Sequence, residues 1–188
     1  MASRVYTLYL LAALFIVSSF FVADNDANFN TTAAERNAER TFIMVTPGGV
    51  QRGLIGDIVH RFEKRGYKMI AGKMMTTTED LFRVHYVSHQ TTPFFDDLLK
   101  LFSSVPVFAM VWEGKDIVKH GRAMLFGDDD LNPMPGTIRG DYSVDIHRKV
   151  CHGSGSVEEA NMDIELWFQT EEIINYTLCT EQYLYEYI

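Results

Sequence analysis

With 188 residues, 47% of them hydrophobic and 13% aromatic, the chain can bury one sizeable core, which excludes the disordered and low-complexity classes. A formal charge of −8 excludes a general nucleic-acid surface, because such a surface needs clustered Lys and Arg to displace counterions, and no nucleic-acid partner is expected. An anionic ligand must therefore be held by a local basic pocket.

The first element is an uncharged run, residues 5–23, bracketed by Arg4 on one side and Asp24 and Asp26 on the other. Its length suits a signal peptide or a signal anchor, and the charge balance puts Arg4 on the cytoplasmic side. Bulky Phe21, where cleavage favours a small residue, favours an uncleaved anchor through residues 5–23. The expected location is the secretory pathway, membrane-anchored or secreted with the folded part lumenal or extracellular; a cytoplasmic protein is the alternative. Residues 24–39 are polar, lack apolar periodicity and read as a linker, leaving a domain over 40–188. Asn30 and Asn175 open N-x-[ST] sequons. Cys151 and Cys179 are compatible with a disulfide in an oxidising compartment and equally with two thiols.

Within the domain, a strand at 41–46 enters a turn at Pro47, Gly48 and Gly49. A helix follows, in which Leu54, Ile55, Ile58, Val59 and Phe62 form one apolar stripe and which Gly66 stops. A second strand is expected at 67–75, then helices around 78–89 and 94–103, the latter with Phe94, Leu98 and Phe102 at every fourth position and Pro93 near its start. The next strand, 106–112, is nearly all apolar and so central. Helix 115–125, an irregular stretch 127–142, and a last strand near 143–151 follow; a capping box of Ser156 and Glu159 opens the final helix. This order predicts an α/β (α+β) sandwich in which helices cover a ferredoxin-like βαββαβ sheet.

Several residues could carry chemistry. In CHGSGS, His152 stands among small residues, so its imidazole could meet a substrate; spacing alone favours an exposed turn instead. Arg122 and Arg139 flank the irregular stretch, and guanidinium groups suit phosphate oxygens. His85 and His89 have i,i+4 spacing but no obvious third ligand, so a solvated helix face is expected. Asp128, Asp129 and Asp130 read as a solvated loop, and no metal site of the protein's own is expected. MVTPGGVQRG, residues 44–53, enters and leaves its turn as many phosphate loops do, yet the GxxxxGK[ST] pattern is absent.

Taken together, ERTFIMVTPGGVQRGLIGDIVHRFEKRGYK, HY…PFFDDLL, PVFAMVWEGKDIVKHGRAML, PGTIRGD and CHGSGSVEEANMDIELWF resemble the nucleoside diphosphate kinases in order and spacing, from residue 39 to about 185. The resemblance implies transfer of the γ-phosphate from a nucleoside triphosphate, accompanied by Mg²⁺, to a nucleoside diphosphate through a phosphohistidine at His152. It also implies that Tyr86, Ser154 and Asp163 assist that histidine, Asp163 standing where the family has a glutamate orienting the ring. Phe94 and Leu98 match residues against the base, and Arg122 and Arg139 match phosphate-binding arginines. Thr46, Asp128 and Lys149 stand where the family has a lysine, a threonine and an asparagine at the nucleotide. The first exchange removes a cation, and Lys149 is the candidate to replace it. The resemblance further implies a homo-oligomer, a hexamer or a tetramer of dimers, with the aromatic tail of Tyr183, Tyr185 and Tyr187 near a neighbouring subunit. Two readings stay open: a kinase, weakened by the Thr46 exchange, or an inactive nucleotide-binding or assembly protein on the same fold.

Overall fold

Strand β1, Arg40–Val45, organises the domain, because it is buried along nearly its whole length and pairs on both edges. The structure is a computed structural model that describes residues 37–87, 90–91, 95–129, 131–145 and 148–186; these lie in one compact unit, Arg36–Ile188. In chain order β1 is followed by helices α1 (Pro47–Gln51) and α2 (Ile55–Arg65), strand β2 (Lys68–Met75), α3 (Glu79–His85) and α4 (Phe95–Ser104). Strand β3 (Val107–Glu113), α5 (Ile117–Phe126), α6 (Ile138–Tyr142), β4 (Cys151–Gly153) and α7 (Val157–Trp167) complete it.

The sheet order is β2-β3-β1-β4, with every neighbouring pair antiparallel, which is the ferredoxin-like arrangement expected from the sequence. Alternation along β1 divides its side chains between two cores. Ile43 and Val45 pack with Ile58 and Phe62 of α2 and Ile117, Leu125 and Phe126 of α5. Phe42 and Met44 pack with Phe82 of α3, Phe95, Leu99 and Phe102 of α4, and Trp167 of α7. Helices thus cover both faces, which is why β1 and β3 read as continuous apolar runs rather than alternating ones.

The element limits differ from the sequence reading where local chemistry intervenes. Gly66 does end α2, in a left-handed conformation with φ of 96°. The turn after β1 winds into α1 because Pro47 at its start is already set for helical φ. On α4 the inward stripe is Phe95, Leu99 and Phe102, so Leu98 sits half-buried on the flank of the helix instead of at its centre. The irregular stretch contains α6, capped by the Thr137 hydroxyl accepting from Gly140 N–H. Among the described residues of 143–151 no strand precedes Cys151: Tyr142 still belongs to α6, Arg148 N–H closes a turn onto Asp145, and pairing in β4 begins at Cys151. Ser156 caps α7 as expected, but Glu159 accepts from Gly155 N–H, one residue before the cap, at 2.8 Å.

Among the described residues no helix is long and apolar enough to cross a membrane. The run 5–23, Asn30, Ser88, His89, Pro93, Phe94, Asp130 and Tyr187 lie outside the described residues. Cys151 is buried and Cys179 exposed, and neither forms a disulfide.

Candidate active site

The turn Thr46-Pro47-Gly48-Gly49 is clamped to the approach to β4. Thr46 N–H donates to the Val150 carbonyl at 3.1 Å, and the Thr46 hydroxyl donates to the Lys149 carbonyl at 2.6 Å. A Cβ at Gly49 would fall 2.4 Å from the Val150 carbonyl oxygen, so only glycine lets the backbones approach this closely. A side chain at Gly153 would likewise come within 2.7 Å of Leu125 and 2.8 Å of Ile43. These contacts fix β4 against β1, where His152 faces Met44 in the pairing register.

His152 is half-buried; its Nε2 is buried and has no hydrogen-bond partner among the described residues. Its ring lies edge-to-face with His85 at 4.7 Å and with Tyr86 at 5.5 Å between centroids. Desolvation holds the His152 pKa well below its ordinary value, and His85, Arg139, Lys149 and Arg122 push it the same way. At neutral pH the imidazole is uncharged and keeps a lone pair, as a nucleophile requires.

Asp163 organises the second layer. Ser154, fully buried, donates from Oγ to Asp163 Oδ2 at 2.6 Å, while Asp163 Oδ1 lies 2.9 Å from His85 Nδ1. Trp167 Nε1–H approaches the same His85 nitrogen at 3.2 Å. One imidazole nitrogen offers either a proton or a lone pair, so the two contacts compete; the shorter, charge-assisted carboxylate contact prevails when Nδ1 carries the proton. No hydrogen bond joins Asp163 to His152 among the described residues, so the carboxylate reaches the His152 ring through His85. The solvated helix face expected for His85 is thus corrected: its side chain is 1% exposed, pressed against Phe42, Trp167 and His152. Spacing to His89 drew attention to this residue for another reason. The usable signal was its place one residue before Tyr86.

Arg122 on α5 and Arg139 on α6 converge on one ring. Their guanidinium carbons lie 4.8 and 4.5 Å from the centroid of Phe126, itself 4% exposed. Arg139 also donates from Nη2 to the Cys151 carbonyl at 3.2 Å, which ties it to the residue before His152. Phe126 was not singled out in the sequence; an aromatic four residues after Arg122 was its signal. Arg122, Arg139 and Lys149 all act electrostatically on His152, so the structure gathers them at one place. Tyr86 stacks on Phe82, and burial raises its pKa, so its phenol stays protonated and able to donate. Asp128 is exposed after α5, and Leu98 is half-buried on α4. One donor atom each from His85, His152 and Asp163 lie within 4.8 Å of one another.

The family model for nucleoside diphosphate kinase matches residues 39–173. Nucleoside diphosphate kinase of Eremothecium gossypii is 51% identical over 148 residues, 79% of this chain and 98% of that protein. Human nucleoside diphosphate kinase A is 49% identical over 150 residues, 80% of this chain and 99% of that protein. Among solved structures, the Halobacterium salinarum nucleoside diphosphate kinase in complex with CDP superposes with a TM-score of 0.75 at 45% identity, covering 79% of this chain and 99% of that one. Agreement at this level over nearly the full length of the relatives, on the same fold, makes the chain a member of the nucleoside diphosphate kinase family.

Proposed function

We propose that the chain is an active nucleoside diphosphate kinase that carries the phosphoryl group on His152. The observation that bears most of this reading is the His152 imidazole, held by β1–β4 pairing against the rings of His85 and Tyr86, with Arg139, Lys149 and Arg122 acting on it electrostatically. A lone pair and a positive surround are what phosphoryl transfer needs from a protein, since most of its catalysis is positioning and electrostatics. With Nε2 buried, Nδ1 is the nitrogen assigned to the reaction. Its lone pair attacks the γ-phosphorus, an N–P bond forms as the bond to the β,γ-bridging oxygen breaks, and the nucleoside diphosphate departs. A second nucleoside diphosphate then attacks the phosphorus through a terminal β-oxygen, and the N–P bond breaks toward the ring.

The roles follow from the surroundings. Arg122 and Arg139, held on Phe126, bind phosphate oxygens, and Tyr86 donates near the transferred group. Ser154 and Asp163 orient His152 through His85. Phe94 and Leu98 are assigned to the base, while Asp128, as an exposed carboxylate, disfavours bound phosphate. Thr46 carries no charge, and its hydroxyl is already committed as a donor to the Lys149 carbonyl. Lys149 supplies the replacement cation, a role supported by its electrostatic action on His152. Mg²⁺ would come with the nucleotide as its phosphate complex and would screen the phosphate charges. Fit supports that order of events: the acceptor-lined His85, His152 and Asp163 group is rich in nitrogen, whereas Mg²⁺ prefers an octahedron of oxygens.

Residues 1–23 act as signal anchor or signal peptide, 24–39 as linker and 40–188 as catalytic domain, with the domain lumenal or extracellular. Asn175 is exposed, as a glycosylation acceptor must be. The chain assembles as a homo-oligomer, a reading supported by the tail, where Tyr183 is 81% exposed. Full-length protein incubated with γ-labelled ATP and Mg²⁺ should acquire acid-labile, base-stable phosphate that His152→Ala abolishes and that a nucleoside diphosphate removes. Retained nucleotide binding without label would instead establish the inactive, binding-only reading, which the loss of the cation at Thr46 favours.

A further inference from the structure

The group formed by His85, His152 and Asp163 has a second capacity that phosphoryl transfer does not use. Two buried nitrogens within it, His85 Nε2 and His152 Nε2, lack any hydrogen-bond partner among the described residues, although buried polar atoms are nearly always paired. Each of the three side chains offers a donor atom within 4.8 Å of the others. Tetrahedral coordination at zinc–nitrogen distances sets ligand atoms roughly 3.4 Å apart, so side-chain rotation on the order of an ångström closes the set. Supports are already in place, since His152 is fixed by β1–β4 pairing and Asp163 is held by the Ser154 hydroxyl.

We infer that His85, His152 and Asp163 form a binding site for a borderline divalent cation such as Zn²⁺, one that takes the His152 lone pair and thereby holds the enzyme inactive. Two imidazoles and one carboxylate are the donor set of many open zinc sites, and three protein ligands leave a fourth position for water. Selectivity against Mg²⁺ and Ca²⁺ comes from the nitrogen donors, which hard cations bind poorly. Arg139, Lys149 and Arg122 act electrostatically on the same histidine and oppose a cation, so the affinity falls below that of a closed four-ligand structural site. That opposition makes the site a reversible brake instead of a permanent one. The inhibitory consequence rests on His152 being the phosphoryl carrier; the binding does not.

The test uses the full-length chain without nucleotide, titrated with Zn²⁺ by calorimetry and with Co²⁺ by visible absorption. One metal ion per chain and an intense four-coordinate Co²⁺ band are expected. Affinity should drop at least 100-fold in His152→Gln and in His85→Gln, and remain unchanged in His60→Gln, whose side chain is exposed. Should His85→Gln fail to fold, His152→Gln and Asp163→Asn decide alone. The inference is overturned by the absence of stoichiometric binding, or by binding that His152→Gln leaves intact, which would place the metal on other histidines. A chain that binds Zn²⁺ but never takes labelled phosphate refutes the kinase reading and leaves the metal site standing. A kinase unaffected by Zn²⁺ does the reverse.

Discussion

Replacing Ser154 with alanine tests the layer beneath His152. Ser154 is fully buried, Asp163 is 5% exposed, and their hydrogen bond measures 2.6 Å. Short bonds to a buried ionised acceptor contribute roughly 1.5–3 kcal/mol, and deleting the donor leaves a carboxylate oxygen desolvated and unpaired. A loss of about 2 kcal/mol is therefore expected, which for a domain of this size lowers Tm by roughly 4–8 °C. Thermal denaturation at fixed protein concentration reads this directly, the concentration being held because subunit association contributes to apparent stability. Ser154→Ala also frees Asp163 to turn from His85, so phosphorylation of His152 should slow by roughly 10-fold while the KM for nucleotide stays nearly constant. A double-mutant cycle with Asp163→Asn should return a coupling of about 1–2 kcal/mol. A stability change below about 0.5 kcal/mol, or fully additive effects in the cycle, would refute the reasoning that Asp163 is locked between Ser154 and His85.

Phe126→Leu keeps an apolar filler but removes the ring beneath Arg122 and Arg139; two cation–π contacts of roughly 0.5–1 kcal/mol each predict a 5- to 30-fold rise in KM, read by steady-state kinetics with ATP varied. Because burial holds the His152 pKa well below the ordinary imidazole value of 6.5, kcat/KM should stay flat as pH falls through 6.5 and decline only in more acidic solution; an inflection at 6.5 would show an ordinary, solvated imidazole. The same shift carries a stability consequence with a definite sign. Below pH 6.5 the unfolded chain takes up a proton that folded His152 refuses, so this contribution is full above 6.5 and is lost as pH drops toward the folded value, which His152→Gln should abolish in chemical denaturation.

Much of this site was legible because its parts lie in short, locally determined segments. CHGSGS announces a histidine where two glycines permit a close backbone, and the structure supplies the reason at Gly153, wedged between Leu125 and Ile43. Gly66 and Ser156 marked helix ends through backbone chemistry that needs no tertiary information. What escaped depended on contacts between distant segments. His85 reads as one member of an i,i+4 pair until α7 brings Asp163 and Trp167 against it. Phe126 reads as a core residue, and it is one; only the arrival of Arg139 from α6 gives its face a second use. The expected strand at 143–151 failed because alternation between Tyr142 and Val150 is compatible with either a strand or a helix end followed by a turn. Nothing local distinguishes them.

The Thr46 exchange is best understood together with Lys149, because the two are joined by the hydrogen bond from the Thr46 hydroxyl to the Lys149 carbonyl. If the cation has moved from one position to the other, the two sites must be coupled, and a single reversion cannot help. Thr46→Lys puts a long chain where the residue is 2% exposed, removes that hydrogen bond and adds a charge to a pocket already holding Lys149, Arg139 and Arg122. It should therefore raise kcat/KM by no more than about twofold while lowering stability by roughly 1–2 kcal/mol. Lys149→Asn alone removes the charge and should slow phosphorylation by about 10- to 100-fold. The double variant Thr46→Lys, Lys149→Asn returns one cation to the pocket, and its rate should recover most of what Lys149→Asn lost. Measured by rapid-quench phosphorylation, the three rates give the coupling directly. A Thr46→Lys chain that is tenfold faster whether or not Lys149 is present would show that the missing lysine was never replaced, and that this enzyme runs with an unfilled charge at its transferred phosphate.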